Sequence, residues 1–545
     1  MDNQQSKTKN LILTILPLFI AIIVMIPRLI SPQFGFFDDG RMLVEVNKIF
    51  QNNFSMGYDV QAGRFRPMYW LYYSCIYALA GQKPFWFFIG HLIIFQFIIV
   101  EIRLLMKQMK ATNWQIFATS LIFIFSIPII ENFYTLSKGE PLQLIFTLAS
   151  VIFLGYLKND LQKKTRWLWI LFSFLSILLA MMVKETTIIM VPIAVIWTGY
   201  VYLKRNDYSK KCRQAYLIYL VTAILATILC FILRTEWGLS SVLGGTYTNR
   251  YALNFMSLLP KFARWLTLFA HYFHYLLPFA GIALISIFKT KLNDSQRLNL
   301  FNWGIWALLW LAVLIPWEYA EVYYLLPLSL GLSFIIGLLL SSITESFLQS
   351  GKWIRGVLIS LSVLSVILFL ATLPTYRTHA RIQIIFDKIN HQMLTFANEV
   401  IPANGAVYTC IDNQNEYVEH ISHFLITQYG RANISYNFID LNTLENLRHA
   451  SKGIILMPKI KNQPNLLVRA GVEEEFTMAW NDTVLEVMGD QFTLMKTIEE
   501  DFRIININLP ILLCSILGER GFCENPDPII DVRWFSYGWE VYQIR

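Results

Sequence analysis

The sequence predicts a polytopic α-helical membrane protein of about 11 spans, followed by a soluble α/β or α+β domain. Three observations carry this. Of 545 residues, 55% are hydrophobic and only 15% are charged, with a mean hydropathy of +0.46. A soluble chain of this size needs more polar surface. Apolar runs long enough to cross a bilayer recur along residues 1–373. The charge is also divided. Residues 1–373 carry 31 Lys+Arg against 16 Asp+Glu, whereas residues 374–545 carry 14 against 21. The basic part is the membrane-embedded one, so its charge implies no nucleic-acid partner.

In chain order, Lys7 and Lys9 precede the first run, Leu11–Ile30. It lacks a small-residue cleavage site and reads as an uncleaved span. In Gly40–Asn53, Met42, Leu43, Val46, Ile49 and Phe50 share one helical face, as in a helix lying on the membrane surface. Pro67–Ala80 is short and rich in Tyr and Trp, and reads as a second interfacial helix. Further spans are expected at 85–106, 114–130, 140–157, 167–183, 186–203, 215–233, 265–288, 299–315, 323–343 and 354–373. This topology puts 19 Lys+Arg in inner segments and 11 in outer segments before residue 374. Treating 67–80 as a span would invert every later loop and place Lys158–Arg166 and Lys204–Arg213 outside, against the positive-inside rule.

Residues 374–545 form the expected second domain. Pro402–Asp412 and Gly453–Met457 read as strands and Glu416–Tyr429 as a helix. Thr483–Met488 and Gln491–Met495 resemble a hairpin around Gly489-Asp490. Ile504–Leu517 is apolar but too short, and broken by Pro510, to span. The six cysteines form no CxxC pair, which argues against a zinc ribbon. Cys514 and Cys523 are either a pair or free thiols.

Polar residues gather at the outer ends of the spans. Asp38, Asp39, Arg41, Arg64 and Arg66 lie in the first outer loop, and Glu131, Ser137, Lys138 and Glu140 in the second. Lys184 and Glu185 follow, then His271 and His274 at a span end, then Glu318, Glu321, Tyr323 and Tyr324. Charges are costly at membrane depth, so such clusters mark a margin or a site. The mixture suits transfer from a lipid-linked phosphate. Arg64, Arg66, Lys138 and Lys184 would hold the leaving phosphate, while a carboxylate takes the acceptor's proton. Asp38 is the candidate base and Asp39 its helper or a metal ligand. Glu140 and Glu185 would orient the cations or hold a divalent metal ion. His271, His274, Glu318, Tyr323 and Tyr324 are weaker candidates for donor or acceptor contacts. No organic cofactor is expected. Bland alternatives stand beside these readings. Asp-Asp-Gly also suits a helix cap, Arg64 and Arg66 suit lipid headgroups, and Lys184–Glu185 suits an ion-paired turn. The two histidines suit packing, and the Tyr/Trp run an aromatic belt.

The order of a first span, Phe36-Phe37-Asp38-Asp39-Gly40, a surface helix and Arg64-Phe65-Arg66-Pro67 resembles the GT-C superfamily. These are polyprenyl-phosphate-dependent membrane glycosyltransferases, and the closest branches are the protein O-mannosyltransferase-like and aminoarabinose-transferase-like ones. Ser137-Lys138-Gly139-Glu140-Pro141 and Val183-Lys184-Glu185-Thr186-Thr187 resemble that group's outer loops. Tyr323-Tyr324-Leu325-Leu326-Pro327 resembles a late outer loop in which Val322 stands where an arginine often falls. The resemblance covers residues 1–373 and implies a GT-C-like bundle. It implies inverting transfer from a polyprenyl-phosphate-linked sugar to a glycan, lipid or protein acceptor on the non-cytoplasmic face, with Asp38 as the first acid of the motif. Some members use a divalent metal and others none.

Other classes fit less well. A transporter or flippase of lipid-linked sugars would place ionisable groups near the midplane, often with repeat symmetry. A membrane anchor for a binding domain does not need so many spans. A glycan polymerase or ligase shares the multi-span body but not the early acidic loop. The short loops point to a bacterial plasma membrane, with the amino terminus cytoplasmic and residues 374–545 extracytoplasmic.

Overall fold

The computed structural model describes residues 2–35, 38–51, 59, 64–159, 163–236, 255–289, 292–317, 320–409, 415–439, 452–463, 474–507, 528 and 530–544. Among these, eight helices are long and apolar enough to cross a membrane, or ten spans if each of two bent pairs counts as one. A shorter apolar helix, Thr165–Met181, falls where the span at 167–183 is expected. Pro67–Ala80 is a 14-residue helix. At about 1.5 Å per residue it is too short to cross about 30 Å of hydrocarbon.

Two expected spans are not straight. Residues 114–130 divide into Asn113–Ile124 and Ile127–Phe133, bent by 62°. Pro128 sits in the first turn of the second piece, where its missing N–H costs nothing, and Ser126 Oγ donates to the Phe123 carbonyl at 2.8 Å. Residues 265–288 were read as one span. They instead form Phe255–Phe273 and Leu276–Lys289, bent by 82°. Pro278 cannot continue an incoming helix. The His274 ring lies 2.9 Å from the His271 carbonyl, next to the break, and 3.1 Å from that of Leu368 in the long helix, tying the bend to that helix.

The last span does not stop at residue 373. It is part of one 49-residue helix, Lys352–Val400, which runs through Pro374 into the carboxyl-terminal domain. There it supports a five-stranded sheet of β1 (Ala406–Thr409), β2 (Ser435–Phe438), β3 (Gly453–Lys461), β4 (Phe492–Ile507) and β5 (Ile530–Ile544), in the order β2-β1-β3-β5-β4. β1 pairs in parallel with β2 and β3, while β5 pairs antiparallel with β3 and β4. Central β3 is buried on both faces, as its unbroken apolar run requires. The hairpin expected around Gly489-Asp490 is absent. Thr483–Met488 ends a helix, Glu474–Met488, that buries Thr477, Asn481, Val484 and Met488 at helical spacing. Gly489, with φ of 49°, terminates it.

The sheet domain and the first outer loop share one core. Met42, Leu43 and Val46 of the surface helix Asp39–Phe50 bury with Phe424 and with Ile385 and Ile389 of the long helix. Beneath them a fully buried ion pair joins Arg28, at the end of the first span, to Asp387 of the long helix. Removing one partner of such a pair leaves a lone buried charge and costs about 3–5 kcal/mol. Asp387→Leu should therefore lower the melting temperature in detergent sharply, and Arg28→Leu in the same chain should restore much of it. Equal melting of single and double variants would show that the pair does not hold these helices.

Candidate active site

The acidic pair splits into two environments. The surface helix begins at Asp39, and Asp38 precedes it with φ of 67°, a left-handed conformation costly for a residue with a Cβ. Asp38 makes no side-chain capping bond, so the helix-cap alternative is not realised. Its side chain keeps 51% of its surface open amid surrounding protein. Burial alone would raise its pKa, but Lys138, His420, Arg41 and Arg64 outweigh burial and hold the carboxyl below its ordinary value. Lys138 Nζ lies 3.6 Å from Asp38 Oδ2.

Asp39 is buried, with both oxygens engaged. The Gly35 N–H donates to Oδ2 at 2.6 Å and the Ser137 hydroxyl to Oδ1 at 2.7 Å. A Cβ on residue 35 would lie 3.1 Å from Asp39 Oδ2 and 3.6 Å from Asp387 Oδ1, so glycine lets two carboxylates converge there. Burial first, then Asp387 and Asp38, push Asp39 up to about 7 against its two donors.

The cations form a wall beside Asp38. Lys138 Nζ stands 4.3 Å from the Tyr323 ring and Lys184 Nζ 4.4 Å from the Tyr324 ring, with the two rings 4.1 Å apart. Lys184 is ion-paired with Glu140. Burial pulls the Lys184 pKa down, and Arg64 and Arg66 act the same way against Glu140. An incoming anion would relieve that repulsion. The Glu185 carboxylate accepts the Phe65 N–H at 3.1 Å and so pins the arginine segment.

Arg66 is placed differently from its expected role. Its guanidinium forks onto Asp59, with Nη2 2.6 Å from Oδ1 and Nε 3.1 Å from Oδ2, and stacks on Tyr69 at 4.5 Å. Asp59 also accepts the Trp70 indole N–H. Arg66 thus organises the loop, and Lys138, Lys184 and Arg64 line the site. His271 and His274 belong to a separate polar layer beneath the sheet domain. There His379 and Gln383 both reach Glu131 at 2.9 Å, and Tyr272 reaches His379 at 3.4 Å. Among the described residues no contact joins either histidine to the lysine wall. Glu318, the sequence segments Phe36–Phe37 and Gly63, and Cys514 and Cys523 lie outside the described residues.

Sequence reading missed Asp59, Arg28 and Asp387. Asp59 lies seven residues before Arg66, and a lone carboxylate in a basic loop was the available signal. Arg28 and Asp387 are 359 residues apart and carried no local signal.

No three His, Cys, Asp or Glu side chains among the described residues converge to hold an ion, and both Asp39 oxygens face N–H or O–H donors.

The raised Asp39 pKa fixes a pH dependence. Between the unfolded carboxyl value of about 3.9 and about 7, folded Asp39 retains a proton that the unfolded chain releases. Its contribution to stability therefore falls as pH rises through that window. Asp39→Asn should flatten this part of the melting-temperature profile between pH 5 and pH 8 relative to the unmodified protein. Parallel profiles would show that Asp39 ionises normally.

The chain matches no family model and no curated protein. Among solved structures it is similar to ArnT from Cupriavidus metallidurans bound to undecaprenyl phosphate. The TM-score is 0.45 at 12% identity, over 81% of this chain and 92% of that one. It is also similar to the apo Archaeoglobus fulgidus oligosaccharyltransferase, with a TM-score of 0.49 at 11% identity, over 82% of this chain and 69% of that one. A third match is the oligosaccharyltransferase AglB of Archaeoglobus fulgidus in complex with an inhibitory peptide and a dolichol-phosphate. Its TM-score is 0.49 at 12% identity, over 77% of this chain and 64% of that one.

Proposed function

We propose that the protein is a membrane glycosyltransferase. It moves a sugar from a polyprenyl-phosphate donor to a hydroxyl-bearing glycan, lipid or protein acceptor, with inversion. The observation that carries this reading is the pairing of an open, ionised Asp38 with Lys138 at 3.6 Å, beside Lys184 on the Tyr323–Tyr324 wall. The likeness to solved structures is too remote to add weight to it.

The residues divide the chemistry as follows. Lys138, Lys184 and Arg64 bind the donor phosphate and take up the charge that grows on its oxygens as the sugar leaves. The acceptor oxygen attacks the anomeric carbon and the bond from that carbon to the phosphate oxygen breaks. The bonding pair stays with the polyprenyl phosphate. The acceptor's proton passes to Asp38, which its cationic neighbours keep ionised and which faces an opening. Asp39 acts as a positioning residue through Ser137 and Gly35. Glu140 orients Lys184, and Glu185 and Asp59 fix the Arg64–Arg66 segment. The excess of Lys and Arg in the inner segments supports a site on the non-cytoplasmic face, and the short loops support a bacterial plasma membrane. The acceptor approaches from the side of the sheet domain. The cluster lies at one end of the bundle, between loops and the sheet domain, which disfavours a transporter with a midplane site.

Asp38→Asn should lower transfer from a polyprenyl-phosphate sugar by about 10²–10⁴-fold with donor binding retained. Lys138→Ala and Lys184→Ala should instead weaken polyprenyl phosphate retained in native mass spectrometry by roughly tenfold or more. Full transfer by the Asp38 variant removes the base, and unchanged lipid retention in both lysine variants removes the phosphate site.

A further inference from the structure

The β4–β5 ribbon changes character along its outer face. At one end this face carries Ile505, Ile530, Val532 and Trp534, all exposed, with Ile530 at 67% and Trp534 at 63%. Further along the same face come Arg503, Asp501 and Glu499. A strand face turned to water along its whole length would stay polar throughout. Here the apolar part is confined to one end.

That end lies next to the membrane. The ribbon runs back along the long helix towards its span. Thr378 Oγ1 donates to the Ile505 carbonyl at 2.8 Å, Thr375 Oγ1 donates to Asn506 Oδ1 at 2.8 Å, and the Ile507 N–H reaches Thr375 Oγ1 at 3.3 Å. The same helix exposes Val363, Val366, Ile367 and Leu370 just before this point, as a lipid-facing span does. From Leu370 to Thr375 the helix rises only about 7.5 Å. Residues 530–534 extend about 13 Å at ~3.3 Å per residue. The apolar patch therefore begins at the level where the lipid-facing part of the span ends. Exposed Arg503 and Arg377 stand level with it, Arg503 opposite Trp534 in the β4–β5 register and Arg377 beside the Thr378 that holds Ile505, and Arg381 Nη1 donates to the Arg503 carbonyl at 3.4 Å. Apolar side chains, a tryptophan and arginines at one level match the composition of the membrane interface, where acyl chains meet phosphate headgroups.

We propose that this end of the β4–β5 ribbon is a membrane-contacting wedge. Ile505, Ile530, Val532 and Trp534 enter the headgroup–acyl boundary of the leaflet beside the site, and Arg377, Arg381 and Arg503 contact lipid phosphates. The bilayer is favoured over a second copy of the chain because the patch begins at the level where the lipid-facing helix surface ends. The wedge fastens the sheet domain at both ends, through the long helix and through lipid.

The test uses the full chain in nanodiscs containing phosphatidylglycerol, phosphatidylcholine and a phospholipid with a diazirine near the glycerol. After illumination, proteolysis and mass spectrometry locate the lipid adducts. Adducts on peptides covering Ile530–Trp534, at a yield within a few-fold of those from the Gly356–Leu370 span, are expected. Val532→Asp with Trp534→Asp should reduce the ribbon adducts several-fold and leave the span adducts unchanged. Labelled spans with an unlabelled ribbon would overturn the wedge. So would ribbon peptides that are protected from solvent by cross-linking to a second copy but carry no lipid. The readout involves no sugar transfer, so it stands or falls separately from the enzymatic reading.

Discussion

The structure hinges on the buried pair of Arg28 and Asp387. Arg28 ends the first span and Asp387 lies in the part of the long helix that supports the sheet. The guanidinium also donates to the Gln33 carbonyl at 2.9 Å and packs 4.2 Å from the Phe88 ring. Desolvating two charges is expensive, and a buried pair of this kind is weak evidence of added stability. Its value is geometric. Neither partner can be left alone, so the first span, the Gly35 turn and the long helix must meet in one arrangement. The acidic loop inherits its position from that arrangement.

The same constraint separates two adjacent carboxyls that a sequence cannot distinguish. Asp39 points inward, towards Asp387 and away from water, where the ionised form is disfavoured. Asp38 points outward, among cations, where the ionised form is favoured. The left-handed backbone at Asp38 turns the two side chains apart, and Ser137, also left-handed with φ of 59°, meets Asp39 from the second outer loop. Two like residues pushed in opposite directions by their surroundings can take different roles in one site. Here the outward one stays ionised among cations, and the inward one is bonded to the Gly35 turn and to Ser137.

The membrane part was largely legible because bilayer thickness sets element length and apolar runs report it directly. The breaks at 125–126 and 274–275 were less so. Proline marks both, but proline also occurs inside intact helices of this chain, at Pro17, Pro260 and Pro374. What decides is the tertiary setting of the bend, as where the His274 ring reaches the Leu368 carbonyl, 94 residues away. In the sheet domain, Thr-Val-Leu-Glu-Val-Met at 483–488 fits a two-residue period locally. The helical period emerges only when Thr477 and Asn481 are included. In the site, residue types were readable loop by loop. The commitment of Arg66 to Asp59, and the convergence of Asp387 on Gly35, depend on folding and left no local pattern.

The sheet domain is then best understood as a wall of the site rather than an appendage. His420 is one of the charges that set Asp38, and it lies on the helix Asn415–Tyr429 of that domain. Gln82, at the end of the second surface helix, donates to the Thr427 carbonyl of the same helix at 3.1 Å. A Cβ on Gly40 would meet His423 at 3.1 Å and Phe424 at 3.2 Å, so the domain presses directly on the turn of residue after the acidic pair. A loop held between spans below and a domain above cannot relax its left-handed residue without moving one of them. That gives a physical reason for a 49-residue helix to cross from bilayer to sheet without a hinge. It fixes the separation between membrane and domain.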